Sequence, residues 1–210
     1  MAAPARHAGI DRLRGLAIVL VVLHHLGLRI PLRETALADW LPRRLLVALN
    51  YNGYEAVFVF FVISGFLIAG HALRRWGELS RIDIAVFYRR RAARILPCLF
   101  ALVALLAALH ALGVEDYVIH RSGQSLGGAT AAALGLYLNW YEGRTGYLPG
   151  NWDVLWSLSI EEVFYLGFPL VCLLVRRRSV LVCLLLGLAL SLPWTLAAIT
   201  GNEIWKEKAY

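Results

Sequence analysis

Residues 56–73 run for eighteen positions without an aspartate, glutamate, lysine or arginine, and residues 180–199 do so for twenty. Helices of that length rise about 27–30 Å, which matches the hydrocarbon thickness of a bilayer. Such segments belong either in the centre of a large soluble core or in a membrane. Composition decides. Of 210 residues, 60% are apolar or aromatic and 17% are charged, against roughly 45–50% and about 25% in soluble domains. The expected fold is all-α, a polytopic transmembrane helical bundle of about five full spans plus one short or re-entrant segment.

The five spans are read at 16–28, 56–73, 98–114, 154–175 and 180–199. Between the first two lies a polar, arginine-containing connection, and a polar tail follows residue 200. The most basic stretch is 74–94. Within it, Ser80-Arg81-Ile82-Asp83 has the form of a capping box and predicts a helix from about Ile82 along the interface. Pro97 is expected to kink that helix into the third span, as Pro193 is in the last. Pro149-Gly150-Asn151 marks a turn. Segment 129–140 is apolar but only about a dozen residues long, short for a crossing.

The positive-inside rule puts the N-terminus and 74–94 in the cytoplasm. Arg176-Arg177-Arg178 joins them only if 129–140 re-enters or lies at the interface. A secretory signal is the weaker reading of 16–38. Ala36-Leu37-Ala38 resembles a cleavage site, but His24, His25, Arg29, Arg33 and Glu34 stand before it.

The net charge of +7 sits in arginine clusters between apolar runs, the pattern of cytoplasmic loops and not of a nucleic-acid surface. Cys98, Cys172 and Cys183 lack metal-ligand or paired spacing, so no metal site and no disulfide are expected. They read as small core hydrophobes.

Titratable groups at membrane depth are costly and therefore mark candidate sites. On the first span, Arg14 and His25 fall about 20° apart around a helix, and Asp11 lies within about 60° of them. His25 sits about 16 Å beyond Arg14, near mid-bilayer. His24 lies off that stripe and reads as a packing or hydrogen-bonding neighbour. Glu161 and Glu162 open another span beside Trp152 and Trp156. Adjacent carboxylates point about 100° apart, so only one can face a given cavity well. Arg90, Arg91 and Arg94 gather three guanidinium groups on one helix, an arrangement that suits a bridging phosphate.

Four stretches carry a family pattern in order. They are Asp11-Arg12-Leu13-Arg14-Gly15-Leu16 through His25; Phe60-Phe61-Val62-Ile63-Ser64-Gly65-Phe66-Leu67; Phe87-Tyr88-Arg89-Arg90-Arg91-Ala92-Ala93-Arg94-Ile95-Leu96-Pro97; and Trp156-Ser157-Leu158-Ser159-Ile160-Glu161-Glu162-Val163-Phe164-Tyr165. In these the chain resembles the acyltransferase-3 family of integral-membrane acyltransferases. The family's arginine followed by a histidine eleven positions later falls on Arg14 and His25. The resemblance implies a bundle of about ten helices that moves an acyl group, typically acetyl, from acyl-CoA on the cytoplasmic side to a hydroxyl. Acceptors would be carbohydrates such as surface polysaccharides and peptidoglycan, lipid-linked sugars, or antibiotics. The expected location is a bacterial inner membrane.

On this reading the partners are the bilayer, acyl-CoA as co-substrate with no permanently bound cofactor, and the hydroxyl acceptor. His25 would serve as general base or carry the acyl group. Arg14 is oriented by Asp11, Arg90, Arg91 and Arg94 hold the donor phosphates, and Glu161 or Glu162 orients the histidine or pairs with an arginine. Two departures stand out. Val154 replaces a histidine that many members carry two positions before the Trp-Ser-Leu motif. The chain also covers about half of the family's membrane domain, so residues 1–210 read as a partial domain lacking about four C-terminal helices. The competing readings are a transporter or flippase half using the same cavity, or an inert truncated fragment.

Overall fold

The computed structural model describes residues 7–199, 201, 202 and 204, with the side chains of Tyr54 and Leu196 left out. The polar tail expected beyond residue 200 lies almost wholly outside the described residues. Two compact units divide the chain, Met1–Arg74 and Arg75–Tyr210.

The first unit opens with α1 (Ala8–Arg29), followed by short 3-10 turns at Leu32–Glu34 and Ala36–Asp39. Next come α2 (Arg43–Tyr51) and α3 (Gly53–Trp76). The connection read as a polar loop therefore contains a helix. Packing explains why: Leu46 and Asn50, four apart, face inward and are buried, while Arg43 and Arg44 stay exposed. That i,i+4 stripe packs against α1, where Ala17 and Gly27 are buried. Gly27 permits the approach, because a Cβ there would collide with the Asn50 side chain.

The second unit contains α4 (Ile84–Ala111), α5 (Leu126–Leu134), α6 (Leu138–Thr145), α7 (Gly150–Asp153), α8 (Trp156–Leu174) and α9 (Arg178–Ala198). The cap of α4 differs from the expected box. Ser80 lies in a 3-10 turn at Leu79–Arg81, and the chain is extended at Ile82 before α4 begins. Asp83 is the N-cap, its Oδ1 accepting from the Val86 amide at 2.9 Å. A carboxylate at the positive end of the helix suits that place. The helix then runs unbroken through Pro97. The turn expected around Gly150 is the start of α7, with Pro149 as its N-cap.

Segment 129–140 does not form one span. It is divided between α5 and α6, of nine and eight residues, each about 12–14 Å long and unable to cross a bilayer. Leu136, at φ 61°, turns the chain between them.

Helices α4 and α8 run antiparallel. The Tyr88 hydroxyl donates to the Leu166 carbonyl at 2.6 Å, and the Phe87 and Phe168 rings are 6.4 Å apart. At the opposite ends, Trp152 Nε1 donates to the Tyr117 carbonyl and Asn151 Nδ2 to that of Asp116, both at 3.3 Å. The start of α4 and the end of α8 thus share one end of the unit. This gathers Arg81, Arg89, Arg90, Arg91 and Arg94 at the same end as Arg176, Arg177 and Arg178. After α9, Asn202 donates to the Gly143 carbonyl of α6 at 2.7 Å, so the chain has returned to the other end.

Four helices among the described residues are long and apolar enough to cross a membrane: Glu55–Trp76, Ile84–Ala111, Gly150–Leu174 and Arg178–Thr195. The first expected span, α1, has the length at 22 residues. Asp11, Arg12, Arg14 and Arg29 keep it out of that set. Large apolar side chains are exposed along α9, the surface a lipid-facing helix presents. For the same reason Cys98 and Cys183 are exposed on helix faces, and only Cys172 is the buried hydrophobe expected of all three.

Candidate active site

In the first unit the two adjacent histidines have different surroundings. Helix α1 crosses the junction of α2 and α3, and His24 faces it. Its Nδ1 is 2.7 Å from the Asn50 carbonyl. A carbonyl only accepts, so Nδ1 carries a proton and donates it. The ring lies so close to Gly53 that a Cβ there would collide with it. Asn50 is itself buried, with its Oδ1 accepting from the Leu32 amide at 3.3 Å. His24 is thereby a structural residue, as its position off the stripe suggested.

His25, one step of about 100° further round, is exposed on α1, as are Arg14 and Asp11. Its ring meets that of His24 edge-on, with centroids 5.4 Å apart. The stripe of Asp11, Arg14 and His25 runs beside the packed Ala17 face and not within it. A depression of about 720 Å³ adjoins Arg12, Leu13 and Leu16, but His25 does not line it. The depression is lined by His7 and the first turns of α1 alone.

In the second unit, α4 and α8 bring Arg91 together with the glutamate pair. The Arg91 guanidinium carbon is 3.2 Å from the centre of the Tyr165 ring, well inside the reach of a cation–π contact. Tyr165 is 2% exposed. One turn earlier on α8, Glu161 accepts a hydrogen bond from the Tyr165 hydroxyl. Glu162 is also buried, and its Oε1 and the Arg91 Nε have no hydrogen-bond partner among the described residues. The Arg91 charge acts on the Glu162 carboxyl. Buried polar atoms left without partners are rare in folded chains and tend to have a functional reason.

The arginine triad does not share one environment. Arg91 is half-buried against Tyr165, whereas Arg90 and Arg94, four residues apart, are exposed on a neighbouring face. Sequence reasoning singled out both glutamates without separating them. The structure separates them, with Glu161 bonded to Tyr165 and Glu162 holding an unsatisfied oxygen near Arg91. Sequence reasoning overlooked Tyr165 as the partner of both Arg91 and Glu161, although its i,i+4 spacing from Glu161 was there to be read. It also overlooked Asn50, Ser159 and Glu142, buried polar residues that anchor helices. No local pattern distinguishes those three from surface residues.

The profile of the acyltransferase-3 family, described as an acyltransferase domain, matches residues 7–208. The O-acetyltransferase OatA of Staphylococcus aureus (strain NCTC 8325 / PS 47) is 28% identical over 189 residues, 85% of this chain and 26% of that protein. The peptidoglycan O-acetyltransferase OatA of Listeria monocytogenes serovar 1/2a is 27% identical over 208 residues, 92% of this chain and 29% of that protein. The chain therefore spans between a quarter and a third of the length of these relatives. No solved structure matches it.

Proposed function

Because this chain belongs to the acyltransferase-3 family, we propose that it works in a bacterial inner membrane as part of an O-acetyltransferase, with acyl-CoA as donor, a cell-wall carbohydrate hydroxyl as acceptor and His25 as general base. The observation that carries this reading is the difference between two neighbouring imidazoles. His24 is committed to the Asn50 carbonyl and to close packing on Gly53. His25 is exposed on the same stripe as Arg14.

In the proposed reaction His25 takes the proton of the acceptor hydroxyl as its oxygen attacks the thioester carbonyl. The C–O bond forms, the C–S bond breaks, and the thiolate leaves with the electron pair and is then protonated. A general base of this kind accounts for about 10²–10⁴-fold of the rate. Exposed Arg90 and Arg94 provide guanidinium groups for the donor's phosphates at the basic end of the second unit. The positive-inside rule assigns that end, and the N-terminus, to the cytoplasm. The relatives named for O-acetyltransfer, one of them on peptidoglycan, support the acetyl group and the glycan acceptor.

The test is acetyl transfer in membranes carrying the full-length protein. His25→Ala is expected to lower transfer about 100-fold or more at unchanged abundance. His24→Ala is expected to keep most of the specific activity while lowering the amount of folded protein. Full activity in the first variant, or equal loss of specific activity in both, overturns the assignment.

A further inference from the structure

We propose that the outer face of α6, made by Tyr137, Trp140 and Arg144 with Arg121 at its C-terminal end beside Gly146, is a docking platform for a carboxylate-bearing glycan. The identification of that glycan as the acceptor rests on the function proposed above; the geometry of the platform does not.

An eight-residue helix has little stability of its own, and α6 is held by its inner side. Leu138 and Glu142, four apart, are both 0% exposed. The Leu138 amide donates to Ser159 Oγ of α8 at 3.0 Å, and the Leu148 amide donates to Glu142 Oε1 at 3.0 Å. Gln124 Nε2 donates to the Gly146 carbonyl at 2.6 Å and ties down the loop that follows. With that side fixed, the opposite side is pre-set. Tyr137 and Trp140 are 39% and 46% exposed, their rings 6.1 Å apart and edge-on. The Arg144 guanidinium lies 5.1 Å from the Trp140 ring centre.

Two backbone features serve the same arrangement. Leu136, at φ 61°, is the non-glycine residue with positive φ among the described residues, a conformation that carries a steric cost. It delivers Tyr137 to the start of α6. Gly146, at φ 96°, has the Arg121 guanidinium where a Cβ would be. Arg121 thus lies against Gly146, two residues beyond Arg144, and among the described residues neither arginine is in a salt bridge.

Sugar rings present C–H faces that lie against aromatic rings, hydroxyls that need donors and acceptors, and, where acidic, carboxylates that suit guanidinium groups. The platform offers all three. It lies at the end of the second unit opposite the two arginine clusters, the side away from the cytoplasm by the positive-inside rule. An aromatic belt at the lipid interface would also expose tyrosine and tryptophan there, but it has no need of a helix pinned at three points.

The test is a titration of purified full-length protein in detergent with soluble peptidoglycan strands bearing stem peptides, read by calorimetry. We expect Trp140→Ala and Arg144→Gln each to weaken binding about 10-fold or more, the size of one good stacking or charged contact. Trp140→Phe should stay within about threefold, because it keeps the ring. Raised salt should weaken the wild-type protein and leave Arg144→Gln less affected. Trp40→Ala, at an exposed tryptophan of the other unit, should bind as wild type.

Where Trp140→Ala reduces the yield of folded protein, Arg144→Gln at the surface carries the test. Absence of glycan binding in the wild type, unchanged binding in Trp140→Ala and Arg144→Gln, or an equal effect of Trp40→Ala overturns the platform. Full acetyl transfer by His25→Ala alongside impaired binding by Trp140→Ala would overturn the proposed chemistry and leave the platform standing.

Discussion

The Arg91 guanidinium carbon lies over the Tyr165 ring, 3.2 Å from its centre, while the hydroxyl of the same tyrosine donates to Glu161. One buried side chain on α8 thus receives a cation from α4 on its face and holds a carboxylate at its edge. The arrangement leaves Glu162, the residue after Glu161, with an oxygen that no hydrogen bond satisfies among the described residues.

Tyr165 should therefore contribute in two separable ways. Tyr165→Phe keeps the ring beneath Arg91 and is expected to cost about 1–3 kcal/mol, the usual value of a hydrogen bond to a charged group. Tyr165→Ala removes the ring as well and should cost about 3–5 kcal/mol. Thermal unfolding in detergent measures both, and equal losses would show that the ring face contributes nothing.

The two glutamates should respond differently. Gln at position 161 still offers a carbonyl to the Tyr165 hydroxyl, so Glu161→Gln is expected to retain at least about a third of wild-type transfer. Glu162→Gln removes the carboxylate whose charge interacts with that of half-buried Arg91, and losing one partner of a fully buried charge pair typically costs about 3–5 kcal/mol. We expect transfer to fall about 100-fold. Measured acetyl transfer normalised to protein in the membrane decides, and the reverse order of effects refutes the distinction.

Close helix contacts predict a contrast among glycines. Gly27→Ala drives a methyl group into Asn50 and Gly53→Ala into His24, so each should lose about 1–3 kcal/mol. Gly15→Ala meets no atom within 4 Å, and within a helix it should gain up to about 1 kcal/mol. Folded yield and unfolding temperature report all three, and a loss at Gly15 equal to that at Gly53 would contradict the packing.

Antiparallel α4 and α8 predict a topology. In a background lacking Cys98, Cys172 and Cys183, cysteine placed at Arg177 or Arg90 should react with a membrane-impermeant maleimide only after the cytoplasmic face is opened. Cysteine at Ser122 should react in intact cells stripped of any outer membrane. Labelling of positions 177 and 122 from the same side would refute the arrangement.

The apolar runs and their arginine borders specify where long helices lie, because a segment with no charge and about 20 residues has few alternatives in water or lipid. The helices at Gly53–Trp76, Ile84–Ala111 and Arg178–Ala198 follow from that alone, to within a few residues except where α4 continues through Pro97. Helical periodicity also separated His25 from His24, since a step of about 100° is a property of any helix.

Other features are absent from local sequence. The cap of α4 passes from Ser80 to Asp83 because the chain is extended at Ile82, and α2 forms because α1 provides a surface for Leu46 and Asn50. The placing of the two arginine clusters at one end is a partial exception, since the shortness of 129–140 already favours a segment that does not cross, and its division between α5 and α6 agrees. Glu161 and Glu162 are equivalent as letters and are distinguished by Tyr165 and Arg91. Hydropathy and periodicity act between near neighbours and can be read along the chain. The partner that a buried carboxylate or imidazole meets depends on helices far apart in sequence, and only their packing decides it.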